Sequence, residues 1–198
     1  MSGTLGDLSA YLGEETGPYT SWDPVNAPMI RHWCEAMGDD NPLYTEGFAP
    51  PTMLQAWGMV GYRGRRAPGS DERPTMAVLP VLEQAGYPAV VATNCEQEYS
   101  RYLEVGDEIY YRSSIESISA EKQTALGTGF FVTELSTYYD QDNEVVGTLR
   151  FRVFKYRAPE REKGVATAAM PAAATVAAPD ASGFSAAGAV AADLAPGD

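Results

Sequence analysis

The chain has 198 residues, enough for one domain with a sizeable core. Lys and Arg total 14 against 27 Asp and Glu, a formal net charge of -13, and this acidity excludes nucleic acid and anionic membrane as partners. No apolar run approaches the roughly 20 residues needed to span a bilayer, which excludes an integral membrane helix.

The N-terminus carries no basic stretch followed by an apolar one, so no secretory signal is expected and the chain reads as cytoplasmic. The first helix is expected to open after Asn26, with Pro28 in its first turn. Ile30, Trp33, Cys34 and Met37 fall at i, i+3, i+4 and i+7, one apolar face of a helix. Gly38 then supplies the stop. Cys34 and Cys95 are too few for a disulfide framework and read as small buried hydrophobes in a reducing compartment. With one histidine, His32, and isolated cysteines, neither a metal site nor a cofactor is expected.

Directly after this helix runs Gly38-Asp39-Asp40-Asn41-Pro42-Leu43-Tyr44. A second helix is expected from Thr52, its N-cap after Pro50-Pro51, to about Tyr62. Met53, Leu54, Trp57 and Val60 make it apolar on most sides, as in a buried helix, and Gly58 and Gly61 permit close packing. Strands follow over Ala89–Tyr99, Glu108–Ser117, Ala125–Tyr139 and Val145–Tyr156, rich in β-branched and aromatic residues. Ser119-Ala120-Glu121-Lys122 and Asp140-Gln141-Asp142-Asn143 break them at hairpin length. In the last strand Leu149, Phe151 and Val153 alternate with Arg150, Arg152 and Lys155, a dry face against a wet one. Antiparallel strands after one apolar helix predict an α+β fold of the hot-dog type, a sheet wrapped around a central helix, over residues 1–157. Residues 158–198 turn to Ala, Pro, Gly, Thr and Val and read as a disordered tail or linker.

Three segments resemble the MaoC-like hot-dog dehydratases: Gly38 to Tyr44, which has the form G-D-x-N-P-aliphatic-H with its last letter changed; Ala49-Pro50-Pro51-Thr52-Met53-Leu54; and Arg101-Tyr102-Leu103-Glu104-Val105-Gly106-Asp107. The resemblance covers roughly residues 20 to 157. It is strongest to the MaoC-like domain of the larger subunit of actinobacterial steroid side-chain enoyl-CoA hydratases. That implies an acyl-CoA substrate and a smaller catalytic hot-dog partner. In the family an OB-fold domain that docks an aldolase often follows, and such a domain is not expected in this chain.

In catalytic members an aspartate and a histidine activate water and move the proton at the neighbouring carbon. Histidine suits this with a pKa of about 6.5. Tyr44, with a reference pKa of about 10, is a poor base. Asp39, Asn41 and Tyr44 are therefore expected to be a vestigial motif. His32 lies off the apolar face of its helix and reads first as an exposed helix residue. Catalytic members also polarise the thioester carbonyl with a backbone N–H at the start of the central helix. Here Pro50 and Pro51 have none, which leaves Thr52.

Candidate substrate-binding residues are Pro51, Thr52, Trp57, the polar pair Thr93-Asn94 inside an apolar run, and Arg65 in the basic Arg63-to-Arg66 loop. Each has a plainer reading: Trp57 as core, Thr93-Asn94 as interface or cavity structure, and Arg65 as a solvated loop. The Gly38–Tyr44 segment likewise has one, a helix stop and tight turn. The sequence thus points to a non-catalytic, substrate-binding subunit of a heteromeric enoyl-CoA hydratase. The alternatives are a subunit of a fatty-acid synthase hydroxyacyl-carrier dehydratase, a hydratase active alone through Tyr44, and an acyl-CoA-binding scaffold or sensor.

Overall fold

In the computed structural model the described residues are 6–159, so the expected tail over 158–198 lies outside them except for its first two residues. Strand β1 (Glu15–Thr20) is short and carries Pro18, which lacks an N–H and suits a sheet edge. It pairs with β5 (Tyr110–Ile118), which pairs with β7 (Gly127–Tyr139). β7 pairs with β8 (Val145–Arg157), and β8 with β3 (Ala89–Tyr99) at the opposite edge. A three-residue strand, β6 (Lys122–Thr124), adds to β7, and every pairing is antiparallel. Two-residue strands β2 (Phe48–Ala49) and β4 (Leu103–Glu104) form a separate small ladder.

The strands expected over 89–156 are present, each within two residues of its expected bounds. Helix α1 (Ala27–Met37) also forms as its sequence demands. Asn26 Oδ1 accepts from Met29 N–H at 3.0 Å, and Gly38 closes the helix at φ 66°, a left-handed conformation that glycine adopts without strain.

The central helix is shorter than the expected Thr52–Tyr62. A single 3-10 turn (Pro51–Met53), whose N-cap position is Pro50 rather than Thr52, runs into four α-helical residues, α2 (Leu54–Trp57). Gly58, Gly61 and Gly64 then follow within seven residues, and their backbone entropy works against helix propagation. The segment is nevertheless the core. Met53, Leu54 and Trp57 are buried with Ile109, Tyr138, Val146 and Leu149 of the sheet side. Each such side chain contributes about 1.5–3 kcal/mol by burial. Gly58 sits where a Cβ would meet Tyr111 Cε1 at 2.7 Å, so its closeness to the sheet is required, whereas Gly61 faces open space.

A third helix, α3 (Val78–Gln84), has no counterpart in the sequence reading. It is too short for periodicity to register and carries Pro80. It caps a second apolar cluster, in which Val78 and Leu82 pack on Ile115, Phe130, Val132 and Val153. It also corrects the expectation of a wet Lys155. That side chain is buried, and its Nζ donates to Glu83 Oε2 and to the Pro88 carbonyl, both at 3.0 Å. The helix face of α1 is likewise narrower than expected, since Met37 at its last turn is 62 % exposed. Cys95 is exposed and Cys34 half-buried, so neither is the fully buried hydrophobe anticipated.

Candidate functional site

The Gly38–Tyr44 segment is built by hydrogen bonds of its own polar side chains. Asp39 Oδ1 accepts from Asn41 N–H at 3.3 Å, and Asn41 Oδ1 accepts from Leu43 N–H at 3.1 Å, capping a 3-10 turn over Pro42–Thr45. Thr45 Oγ1 closes that turn by donating to the Pro42 carbonyl at 2.7 Å. The turn and the inner side of α1 enclose an open cavity of about 570 Å³. Asp39, Asn41, Tyr44 and Cys34 all line it, so the structure brings the motif residues together.

Within that cavity, burial and then the Asp39 carboxylate raise the Tyr44 phenol above its ordinary value. The same two causes raise the Cys34 thiol. A phenol so placed is a neutral hydrogen-bond donor and no base near neutral pH. His32 is largely exposed on α1, 3.6 Å from Glu35, and does not line that cavity.

The other expected site residues are scattered. Pro51 is half-buried and Thr52 exposed at the start of the central segment. Met53 N–H donates to the Pro50 carbonyl at 2.9 Å, and Thr52 is the first residue there with an N–H to offer. Trp57 is buried core, its Nε1 without a hydrogen-bond partner, and it edges a small cavity of about 140 Å³ with Trp22 and Met29. Thr93 and Asn94 are exposed, not buried. They sit on the edge strand β3 at a bulge, where Ala92 faces Val153 and Asn94 faces Arg152, leaving Thr93 as the extra residue. Thr93 Oγ1 donates back to the Arg152 carbonyl at 3.2 Å, so its hydroxyl is satisfied without a cleft. Arg65 is exposed in the loop after α2, its carbonyl accepting from Trp22 Nε1 at 3.2 Å.

A second cavity, of about 430 Å³, went unnoticed in the sequence. It lies beyond the short central helix, between Gly58, Met59 and Val60, the Thr75-to-Leu79 segment and the sheet, with Leu149 and Phe151 among its apolar walls. Its volume falls in the roughly 300–1,000 Å³ range of small-molecule sites. It shares no lining residue with the motif cavity. One core cluster nevertheless joins their walls, through Ile30 on the first and Tyr138 and Leu149 on the second.

The second cavity holds one carboxylate, Glu134, at the centre of β7. It is 8 % exposed, and its Oε1 has no hydrogen-bond partner. Burial raises its pKa, while the Thr75 and Ser113 hydroxyls and Arg66 pull the other way less strongly. The titratable groups facing it are Arg66, Tyr111 and Tyr138, and burial drives both phenols up. The signal in the sequence was a lone carboxylate inside the apolar run Phe130 to Tyr139.

A consequence is measurable. A carboxyl whose folded pKa exceeds its unfolded value stabilises fully below the unfolded value, and that contribution is lost as pH rises through the folded one. Glu134→Gln is therefore expected to match the wild-type melting temperature near pH 4 and exceed it increasingly as pH rises. Parallel melting curves across pH 4–8 would contradict this.

The chain matches the profile of a protein family described as FAS1-like, dehydratase domain region, over residues 10–149, and it belongs to that family. Its fold is the MaoC-like hot-dog. It is 44 % identical over 168 residues to a probable enoyl-CoA hydratase alpha subunit of Thermomonospora curvata, covering 79 % of this chain and 53 % of that one. It is 38 % identical over 151 residues to the 3-oxo-4,17-pregnadiene-20-carboxyl-CoA hydratase alpha subunit of Mycobacterium tuberculosis, covering 71 % and 47 %. Among solved structures, a chain of the ChsH1-ChsH2 complex from Mycobacterium tuberculosis superposes with a TM-score of 0.66 at 36 % identity, covering 73 % of this chain and 85 % of that chain. The chain spans about half the length of the curated relatives it matches. No helix among the described residues is long and apolar enough to cross a membrane.

Proposed function

We propose that this chain is the substrate-binding, non-catalytic hot-dog subunit of a heteromeric hydratase. The complex would add water across the double bond of an α,β-unsaturated acyl-CoA with a bulky polycyclic acyl group, a steroid side-chain thioester. A partner hot-dog chain with an intact aspartate and histidine supplies the acid and base. The observation that carries this is Tyr44: the residue in the histidine's place is a phenol raised by burial and by Asp39, while the chain's one histidine, His32, is largely exposed beside Glu35.

Two further features support the reading. The shortened central helix leaves a cavity of about 430 Å³ under the sheet, room that a longer helix would occupy. At the sheet edge, β3 offers eleven residues of mostly exposed strand, a ladder onto which a partner's edge strand can add. The relatives named as alpha subunits of enoyl-CoA hydratases, one with a steroid-derived acyl group in its name, favour the same substrate class.

The test is hydration of an unsaturated steroid side-chain CoA thioester by the purified chain, by a catalytic partner, and by the two co-expressed. The chain alone is expected to be inactive and the complex active, with Tyr44→Phe changing the complex's kcat by less than about twofold. Turnover by the chain alone that disappears in Tyr44→Phe would overturn the proposal. The family description favours a second reading, a dehydratase subunit acting on carrier-protein thioesters. Running the same assay with CoA and carrier-protein forms of one acyl group separates the two.

A further inference from the structure

Resting on that function, we propose that Glu134 is a specificity residue, whose carboxyl group hydrogen-bonds a carbonyl oxygen on the polycyclic end of the acyl group. The cavity under the shortened helix is mainly apolar, and Glu134 is its one carboxylate. It sits on β7, opposite Ile115 of β5 on one side and Phe151 of β8 on the other.

The neighbouring polar groups are already engaged. Ser136 Oγ is 2.6 Å from Ser113 Oγ, a bond that uses one of their two hydroxyl hydrogens, and the Thr75 and Ser113 hydroxyls also act on the Glu134 carboxylate. Arg66 Nη1 donates to the Asp71 carbonyl at 3.1 Å, and its guanidinium lies over the Tyr19 ring at 4.1 Å. Among the described residues Glu134 has no ion-pair partner within 4.0 Å. One of its oxygens is therefore a buried, unpaired polar atom at the wall of a ligand-sized cavity. Such an atom destabilises the empty protein. A ligand oxygen that seats there removes that deficit, and a ligand lacking it leaves the deficit in place.

The chemistry selects the ligand group. Burial disfavours the charged form of Glu134, and its protonated form presents an O–H donor. A ketone oxygen is an acceptor only, and it enters an apolar cavity at lower desolvation cost than a charged group. An anionic acyl substituent would meet a mainly apolar wall and a carboxyl, while Arg66, the cation lining the cavity, is already engaged by the Asp71 carbonyl and the Tyr19 ring. The ligand class is thus a neutral polycyclic acyl thioester with a ring ketone remote from the thioester.

The experiment uses the co-expressed complex and two thioesters identical except for a ring ketone in one and a methylene in the other. Wild type is expected to favour the ketone by about 10- to 100-fold in kcat/KM, mostly through KM. Glu134→Leu should erase that preference, and the circular dichroism spectrum and melting curve of the complex report that the variant is folded. Glu134→Gln keeps an N–H donor and should retain most of the preference. Equal wild-type efficiency on the two thioesters would overturn the inference alone. So would a Glu134→Leu loss of equal size on both, the mark of a structural role. No turnover of either by wild type would overturn the proposed function and this inference with it.

Discussion

Arg101→Ala is expected to lower the stability of the folded chain by about 3 kcal/mol and its Tm by roughly 6–12 °C. Arg101 lies between the end of β3 and the start of β4 and reaches two carboxylates. Its Nη1 donates to Asp107 Oδ2 at 2.7 Å, and its Nη2 donates to Asp140 Oδ2 at 2.8 Å. Asp107 Oδ2 also accepts from Glu104 N–H at 2.9 Å. Asp140 Oδ1 accepts from the N–H groups of Asp142 and Glu144 and so shapes the β7–β8 hairpin. One planar guanidinium thus ties two turns from different parts of the chain, and a lysine ammonium cannot reproduce the fork. Removing it leaves Asp140, with a side chain only 3 % exposed, without its cation. The magnitude is set at the lower end of the range for broken buried pairs because a third of Arg101 remains in water.

The pH dependence fixes the sign. Burial alone would raise Asp140, but Arg101 and the hairpin N–H groups outweigh it and hold the carboxyl below its ordinary value. A depressed folded pKa stabilises above the unfolded value of about 3.9 and is lost as pH falls through the folded one. The gap between wild type and Arg101→Ala should therefore narrow below pH 4. Thermal and urea melts at pH 7 and pH 3.5 measure it. An unchanged Tm at pH 7 would show that the bridge is dispensable, and a gap that persists undiminished at still lower pH would assign the loss to Arg101 packing instead of its ion pairs.

Much of this was visible in the residues, and the reasons divide cleanly. The strands announced themselves because β-branched and aromatic runs ended at hairpin turns, and α1 because Asn26 and Gly38 marked both ends. The motif turn was legible because local side-chain hydrogen bonds, which depend on spacing of two residues, build it. The central helix was overdrawn because apolar periodicity continues through Val60, while glycine entropy and the competing pull of the sheet on Met53, Leu54 and Trp57 end it at Gly58. Thr93-Asn94 departs from its expected burial for a related reason. Polar residues in an apolar run signal a need for partners, and a bulge at an edge strand exposed to solvent meets that need without a cleft. The cavity that Glu134 lines was invisible because it depends on residues from α2, the following loop and three strands arriving together.

Gly147→Val is expected to cost about 3 kcal/mol or more and to weaken assembly with the catalytic partner. Gly147 lies on β8, opposite Tyr99 of β3 and Tyr138 of β7. A Cβ there would stand 2.6 Å from the Glu98 carbonyl oxygen and 2.8 Å from Leu54 Cδ2. Neither neighbour can yield at small cost. The Glu98 oxygen is backbone of β3, and moving it opens the β3–β8 ladder. Leu54 is 2 % exposed, the first residue of α2, packed in the same core cluster as Val146 and Leu149. Valine adds three carbons to this contact, so both the edge strand and the root of the central helix must shift. The β3 edge is the place through which the proposed complex forms, and α2 follows directly on the Pro50-Pro51-Thr52 entrance. Gly61→Val supplies the comparison, since a Cβ at Gly61 meets nothing within 4 Å and its cost should stay within about 0.5 kcal/mol. Melting temperature and co-purification yield of the two variants decide the matter. If Gly147→Val melts and assembles like Gly61→Val, the close approach of helix, edge strand and β8 does not govern the fold, and the shortened helix must be held in place by its entrance prolines instead.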